Sequence, residues 1–252
     1  MLETKKLGFW YQDKVDTLFE NVNLQFEAGN MYAILGKSGS GKTTFLSLIS
    51  GLDSAKEGEI FYQDKSLNQI GLTRFRKHHL AIVFQAYNLF TYMTAYQNVS
   101  SALEISGEKK ENKRAFITES LKSVGITEDL QHKKVGQLSG GQQQRVAVVR
   151  AMVTGADIIV ADEPTGNLDE ETGRDIINLF KKIAHDQKKI VILVTHDNDI
   201  AKKSDVTYEL KYQDCILVFY FDGIIAVNIG SSTDSSTFNN DSGSYHWFVV
   251  SS

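Results

Sequence analysis

The chain has 252 residues, which suits one large α/β domain or one domain with an inserted subdomain. Hydrophobic residues at 42% and charged residues at 23% are ordinary for a globular protein, and a net charge of −4 gives no reason to expect nucleic acid as the main partner. The single cysteine, Cys215, rules out an internal disulfide or a cysteine zinc site and fits a reducing cytosol.

Residues 1–8 (MLETKKLG) hold no apolar core long enough for a signal peptide. The longest apolar run, residues 216–229, is broken by Asp222 and Gly223 and is too short to cross a bilayer. A soluble chain is expected, with any membrane role supplied by another subunit.

Near the N-terminus, residues 7–11 (LGFWY) and 22–26 (VNLQF) alternate in the manner of antiparallel strands. Two of the rings of Phe9, Trp10 and Tyr11 suit core packing. Tyr11 suits either the core or the face of a nucleotide base, and the residues leave that choice open.

Residues 31–35 (MYAIL) read as a buried strand, and residues 44–49 (TFLSLI) as the first turns of a helix. Between them the pattern G-x-x-x-x-G-K-[ST] is met by Gly36, Gly41, Lys42 and Thr43, with Lys37, Ser38, Gly39 and Ser40 inside it and Thr44 following. Glycines let the backbone wrap close to phosphates, and a helix N-terminus adds a partial positive charge. Lys42 would reach the β- and γ-phosphates, and the Thr43 hydroxyl would coordinate Mg²⁺. A nucleoside triphosphate is the expected ligand.

Gly51 closes the helix, residues 58–62 form another short strand, and residues 80–84 (LAIVF) a buried one. Gln85 stands at the end of that strand, where a polar residue in an α/β sheet can reach a ligand. Residues 94–124 turn helical and polar, with the charge run at 108–114 expected on a solvated helix face. No strand pattern returns until Ile158, so this section reads as a helical insert. Within it Ser139 reads as an N-cap and Gly140 and Gly141 open the helix behind it, giving a second anion-binding helix end.

Residues 157–161 (DIIVA) run into Asp162, Glu163 and Pro164. Two acids at the end of a buried strand are costly unless they meet a cation or do chemistry. Beside a phosphate loop, Asp162 is the natural Mg²⁺ partner and Glu163 can turn towards the phosphates as a base. Residues 170–187 form an amphipathic helix carrying Ile176, Ile177, Phe180, Ile183 and Ala184. The strand at 190–194 then ends in Thr195, His196 and Asp197, which puts His196 at the same sheet edge as Gln85 and Asp162.

Together these residues resemble the ATP-binding subunit of ABC transporters over about residues 2–210. Residues 36–43 resemble the Walker A loop, Gln85 the Q-loop, and residues 138–142 (LSGGQ) the signature motif. Residues 158–163 resemble Walker B with its glutamate, residues 167–169 (NLD) the D-loop, and His196 the switch histidine. Tyr11 falls where the family places its adenine-stacking aromatic. The strings at 162–169 (DEPTGNLD) and 83–89 (VFQAYNL) are similar to the branch serving lipoprotein release, macrolide efflux, antimicrobial-peptide resistance and bacteriocin export.

The resemblance implies an α/β P-loop NTPase fold across residues 1–212. It would have a mainly parallel core sheet, an N-terminal antiparallel β subdomain and an α-helical subdomain inserted at about 90–150. It implies ATP as the nucleotide, with Mg²⁺ on Thr43, Asp162 and Gln85. Glu163 would polarise the attacking water, and His196 would hold the γ-phosphate. Two copies would pair head to tail, so that Ser139, Gly140, Gly141, Gln142 and Asp169 complete the nucleotide site. A transmembrane permease would dock near residues 85–96 and hold the subunit on the inner face of the plasma membrane.

The energy-coupling subunit of an exporter is the first reading. A regulatory ATPase that drives a membrane partner without moving substrate, or a soluble ABC ATPase acting on DNA or ribosomes, are its rivals. The resemblance stops near residue 210. Residues 213–229 read as a β-hairpin turning at Asp222 and Gly223, residues 230–252 as a disordered Ser/Asn-rich tail, and residues 246–250 as an apolar close to it.

Overall fold

The computed structural model describes the main chain of residues 1–211, 214–221 and 224–228. The chain opens with β1 (Leu2–Trp10) and β2 (Thr17–Phe26), joined through a single 3-10 turn at Lys14–Asp16. It continues through β3 (Met31–Leu35), α1 (Lys42–Ile49), β4 (Glu57–Tyr62), β5 (Lys65–Ser66), α2 (Leu67–Ile70), α3 (Leu72–His78) and β6 (Leu80–Val83). Four helices follow: α4 (Ala95–Ser106), α5 (Lys113–Lys122), α6 (Glu128–Gln131) and α7 (Gly140–Met152). The last part alternates β7 (Ile158–Asp162), α8 (Glu170–Gln187), β8 (Ile190–Thr195), α9 (Asn198–Lys203) and β9 (Val206–Lys211), then adds β10 (Asp214–Phe221) and β11 (Ile224–Asn228).

These strands make two sheets. An antiparallel sheet has the order β2-β1-β4-β5, and a second has the order β11-β10-β9-β3-β8-β7-β6. In the second sheet β9, β3, β8, β7 and β6 run parallel, and β10 and β11 are added antiparallel at one edge. This is the α/β architecture that the phosphate-loop pattern leads one to expect.

Strand alternation explains how the sheet is covered on both faces. Ile158, Val160, Ile190, Ile192 and Val194 point into one core with β1, β2 and α1. Their neighbours Ile159, Ala161, Val191 and Leu193 point into a second core against α7 and α8. The stripe Ile176, Ile177, Phe180, Ile183 and Ala184 of α8 packs there, as its spacing foretells. Helix α7 is apolar on two sides. Ala147, Val148 and Ala151 meet the sheet core, whereas Val146, Val149 and Val153 join Val99, Leu103, Ile117 and Leu121 in a core among the inserted helices.

One expectation is corrected. The charge run at 108–114 is for the most part a connection, not a helix face: α4 stops at Ser106 with Gly107 left-handed at φ 81°, and α5 begins only at Lys113. The reason is capping. Asn112 accepts a hydrogen bond from the Ala115 N–H at 3.0 Å, which fixes a helix start in the middle of the run. β1 also begins at Leu2, five residues before the strand expected at 7–11, and leaves Tyr11 outside it.

Beyond β9, β10 pairs antiparallel with β9 and with β11. The expected turn at Asp222 and Gly223, and the tail at 230–252, lie outside the described residues. No helix among the described residues is long and apolar enough to cross a membrane.

Candidate nucleotide-binding site

Strand β3 ends at Leu35, and the Gly36 N–H donates to the Thr195 carbonyl at 3.2 Å, tying the phosphate loop to the end of β8. Gly36 is required by space. A Cβ there would sit 2.4 Å from Ser40 Oγ and 2.7 Å from the Leu210 carbonyl. Gly41 is required twice over, by its left-handed φ of 91° and because a Cβ would lie 2.7 Å from Leu18.

Gly41 is also the N-cap of α1, and no side chain caps it, so the first N–H groups of that helix are left for a ligand. Lys42 Nζ donates to the carbonyls of Gly36 at 2.8 Å and Lys37 at 3.0 Å, which folds the ammonium over the loop. Ser40 Oγ, in the same loop, is buried without a hydrogen-bond partner among the described residues. The result is a cationic, donor-lined concavity.

The adjacent order β3-β8-β7-β6 brings the C-terminal ends of four parallel strands to one edge. A cavity of about 980 Å³ opens there, and its walls include the loop from Gly36 to Gly39, Gly41, Lys42, Thr43 and Thr44, with Tyr11, Gln85, Asp162, Glu163 and His196. These residues come from sequence positions up to 185 apart, as the difference between 196 and 11, and one edge collects them.

Burial pushes the Asp162 carboxyl above its usual range, the neighbouring Glu163 charge adds to the rise, and Lys42 opposes it. Such a carboxylate gains by meeting a cation. Glu163 adopts a left-handed φ of 45°, a conformation that costs an L-residue about 1 kcal/mol or more. Its N–H donates to the Val194 carbonyl at 2.9 Å, and its Oε1 lies 2.8 Å from His196 Nδ1. Tyr11 stands at the rim, 64% exposed, with its hydroxyl 2.6 Å from Thr44 Oγ1 and its ring edge-on to Phe9.

The fit of a divalent cation can be tested on the donor set. Thr43, Asp162 and Gln85 all offer hard oxygen atoms on the walls of one cavity, and Asp162 is the desolvated carboxylate among them. No cluster of three or more His, Cys, Asp or Glu residues placed to hold a metal occurs among the described residues. Mg²⁺ needs none where a substrate phosphate and waters complete its shell. The residues fit the ion.

The remaining expected residues lie apart from this cavity. Ser139 Oγ accepts from the Gln142 N–H at 3.3 Å and Gln142 Oε1 accepts from the Ser139 N–H at 3.0 Å, a reciprocal cap at the start of α7. A methyl group on Gly141 would lie 2.4 Å from Thr172 Cγ2, so α7 and α8 approach closely there. Asp169 caps α8 through the Thr172 N–H at 2.9 Å, and that hydrogen bond holds its carboxyl below the usual range. Ser139, Gly140, Gly141, Gln142 and Asp169 are thus grouped with one another rather than with the phosphate loop.

Four further residues line the cavity that sequence reasoning missed: Leu18, Leu35, Asn198 and Glu209. The two leucines carry no signal that separates them from core. Asn198, two residues past His196 at the start of α9, was the one that position could have flagged.

The profile of the ABC transporter family matches residues 19–166. Over 210 residues the chain is 52% identical to the uncharacterized ABC transporter ATP-binding protein YclH of Bacillus subtilis (strain 168), covering 83% of this chain and 93% of that protein. It is 40% identical over 196 residues to the lipoprotein-releasing system ATP-binding protein LolD of Treponema denticola, covering 77% of this chain and 86% of that one. Among solved structures, the dimeric post-hydrolysis state of the ATP-binding cassette MJ0796, bound to ADP and Pi, superposes with a TM-score of 0.74 at 36% identity, covering 84% of this chain and 94% of that one. MJ0796 is the protein of Methanocaldococcus jannaschii.

A cassette fold, a phosphate loop and a sheet edge of this composition define an ATP-hydrolysing P-loop protein. The chain belongs to the ABC transporter family, as an ATP-binding subunit.

Proposed function

We propose that this chain energises a membrane exporter of the peptide, bacteriocin, drug or lipoprotein class through ATP-driven pairing of two cassettes. The observation that carries the reading is the separation of its two anion-binding helix ends. The phosphate loop lines the 980 Å³ cavity with Gln85, Asp162, Glu163 and His196, whereas Ser139, Gly140, Gly141 and Gln142 are not among the walls of that cavity. A head-to-tail pair would bring the signature residues and Asp169 of one copy over the phosphate loop of the other. The dimeric MJ0796 structures and the lipoprotein-releasing role in the name of LolD support both halves of this reading.

In the closed site, Lys42 and the N–H groups of the loop would bind the phosphates, and Tyr11 would meet the base. Thr43, Asp162 and Gln85 would hold Mg²⁺, which when bound neutralises phosphate charge. Glu163 would accept a proton from the attacking water, and His196 would hold Glu163 and the γ-phosphate in register. Phosphoryl transfer depends mainly on positioning and charge neutralisation, and this set supplies both. Removing the interfacial anion would then let the pair open. Residues 85–96, between the cavity and the inserted helices, are where a permease would dock. This would hold the subunit on the cytoplasmic face of the membrane.

A detergent pull-down of the tagged chain from its native membrane, with mass spectrometry of the co-purifying proteins, tests the reading. Recovery of a transmembrane permease is expected. Recovery of ribosomal or DNA-repair proteins without a membrane protein would overturn it.

A further inference from the structure

The residues that follow Gln85 adopt a conformation that needs outside support. Tyr87 and Asn88 are both left-handed, at φ 60° and 47°, and neither is glycine. Two consecutive L-residues in that region persist only where the surroundings hold them. The support comes from α7. The Arg150 guanidinium donates to the Tyr87 carbonyl at 3.0 Å and to the Asn88 carbonyl, gripping both strained peptides with one planar fork. Those are its hydrogen bonds among the described residues, and burial lowers its pKa.

At the other end of the same helix, a methyl group on Gly140 would come 3.1 Å from the Tyr87 hydroxyl. The segment after Gln85 is therefore held along α7, by its main chain near the C-terminal end and by the Tyr87 ring near the signature end. Gln85 is itself confined on its far side. Its carbonyl accepts from Asn167 Nδ2 at 3.2 Å, and its amide lies so close to Gly166 that a Cβ there would be 2.6 Å away.

We infer that Arg150 is a positioning residue: by fixing the carbonyls of Tyr87 and Asn88 it makes α7 and the loop carrying Gln85 one mechanical unit, so that displacement of the signature helix sets where the Gln85 amide sits in the nucleotide cavity. The inference rests on the reading of Gln85 as part of the ATP site. It extends that reading to a residue outside the cavity, which reaches the nucleotide only through the loop.

The test uses the purified full chain. Arg150→Met keeps an unbranched apolar stem and removes the fork, and should lower the maximal ATPase rate about tenfold or more while ATP affinity stays at the wild-type value. Adding Asn88→Gly to that variant should restore much of the rate, because glycine holds a left-handed φ without support. Arg150→Lys, with a single ammonium in place of the fork, should fall between the two and guards against misfolding of the methionine variant. Wild-type turnover in both Arg150 variants, or a loss of rate and ATP affinity together that Asn88→Gly leaves uncorrected, would overturn the inference. Gln85→Ala separates the two levels. Full turnover in Gln85→Ala would sink the role given to Gln85 itself, whereas lost turnover there beside normal turnover in Arg150→Met would sink only the role given to Arg150.

Discussion

The His196 imidazole and the Glu163 carboxylate meet at 2.8 Å across the ends of two neighbouring strands, β8 and β7, with Glu163 Oε1 facing His196 Nδ1. Glu163 is largely enclosed, at 18% side-chain exposure, while His196 is open at 68%. The pair is aimed by the main chain. Glu163 takes its left-handed turn as β7 ends, and its N–H is anchored on the Val194 carbonyl of β8. A carboxylate held this way faces the phosphate cavity with one oxygen committed to the imidazole.

Glu163→Gln keeps the shape and the hydrogen bond to His196 but cannot take up a proton. Turnover should fall by about 10² to 10⁴, the range for loss of a general base, while ATP binding persists. With hydrolysis blocked, ATP should trap a dimer. An ATPase assay with gel filtration in ATP and Mg²⁺ reads both effects, and near-normal hydrolysis would remove Glu163 from the catalytic role.

Gly36→Ala tests the packing of the phosphate loop. The new methyl group would meet Ser40 Oγ at 2.4 Å and the Leu210 carbonyl at 2.7 Å, and the second of these is main chain that cannot rotate away. The loop must therefore open, moving the Lys42 hydrogen bonds to the Gly36 and Lys37 carbonyls with it. ATP affinity measured with a fluorescent nucleotide should fall at least tenfold, with a smaller loss of thermal stability. Unchanged affinity would show that the loop tolerates a Cβ.

The motifs that set this site were legible because their chemistry is local. The phosphate loop needs its glycines, lysine and threonine in fixed places, and Ser139 reads as an N-cap and is one, at the start of α7. The apolar runs of β3, β7 and β8 likewise announce a sheet covered on both faces. What stayed hidden is non-local or conformational. No spacing reveals that Glu163, Tyr87 and Asn88 are left-handed, since none is glycine. Nor does it show that Arg150, 63 residues from Tyr87, completes the loop after Gln85. The charge run at 108–114 misled for a related reason: composition suggested a solvated helix face, but α4 ends at Ser106 and Asn112 caps a new helix from Lys113, so most of the run is a connection.

Stability at low pH should depend on Asp205, at the opposite end of β3 from the phosphate loop. Burial pushes its carboxyl up, but the Met31 N–H at 2.8 Å, His185 Nε2 at 2.8 Å and Lys181 Nζ at 3.5 Å outweigh this and leave it lowered. A carboxylate lowered in the folded state adds stability above its unfolded value, about 3.9, and that stability is lost as pH falls through the folded value. Asp205→Asn should cost roughly 1–2 kcal/mol at pH 7. The gap from wild type should narrow as pH drops below about 4. Thermal melts from pH 7 to pH 3 check this, and a gap that stays constant with pH would assign the loss to shape rather than charge.

Ser139→Arg asks whether the signature helix acts within one chain or across two. The substitution removes the hydroxyl that accepts from the Gln142 N–H, which should cost the cap of α7 about 1 kcal/mol. It also puts a long cation where a second copy's phosphate loop would have to approach. Ser139 does not line the cavity, so the isolated chain should bind ATP as tightly as wild type. In a Glu163→Gln background, where ATP otherwise traps a dimer, the added Ser139→Arg should leave the protein monomeric by gel filtration. Loss of ATP binding by the monomer would place Ser139 at its own nucleotide and end the trans arrangement. An intact trapped dimer would mean that closure does not bring the two surfaces together at this residue.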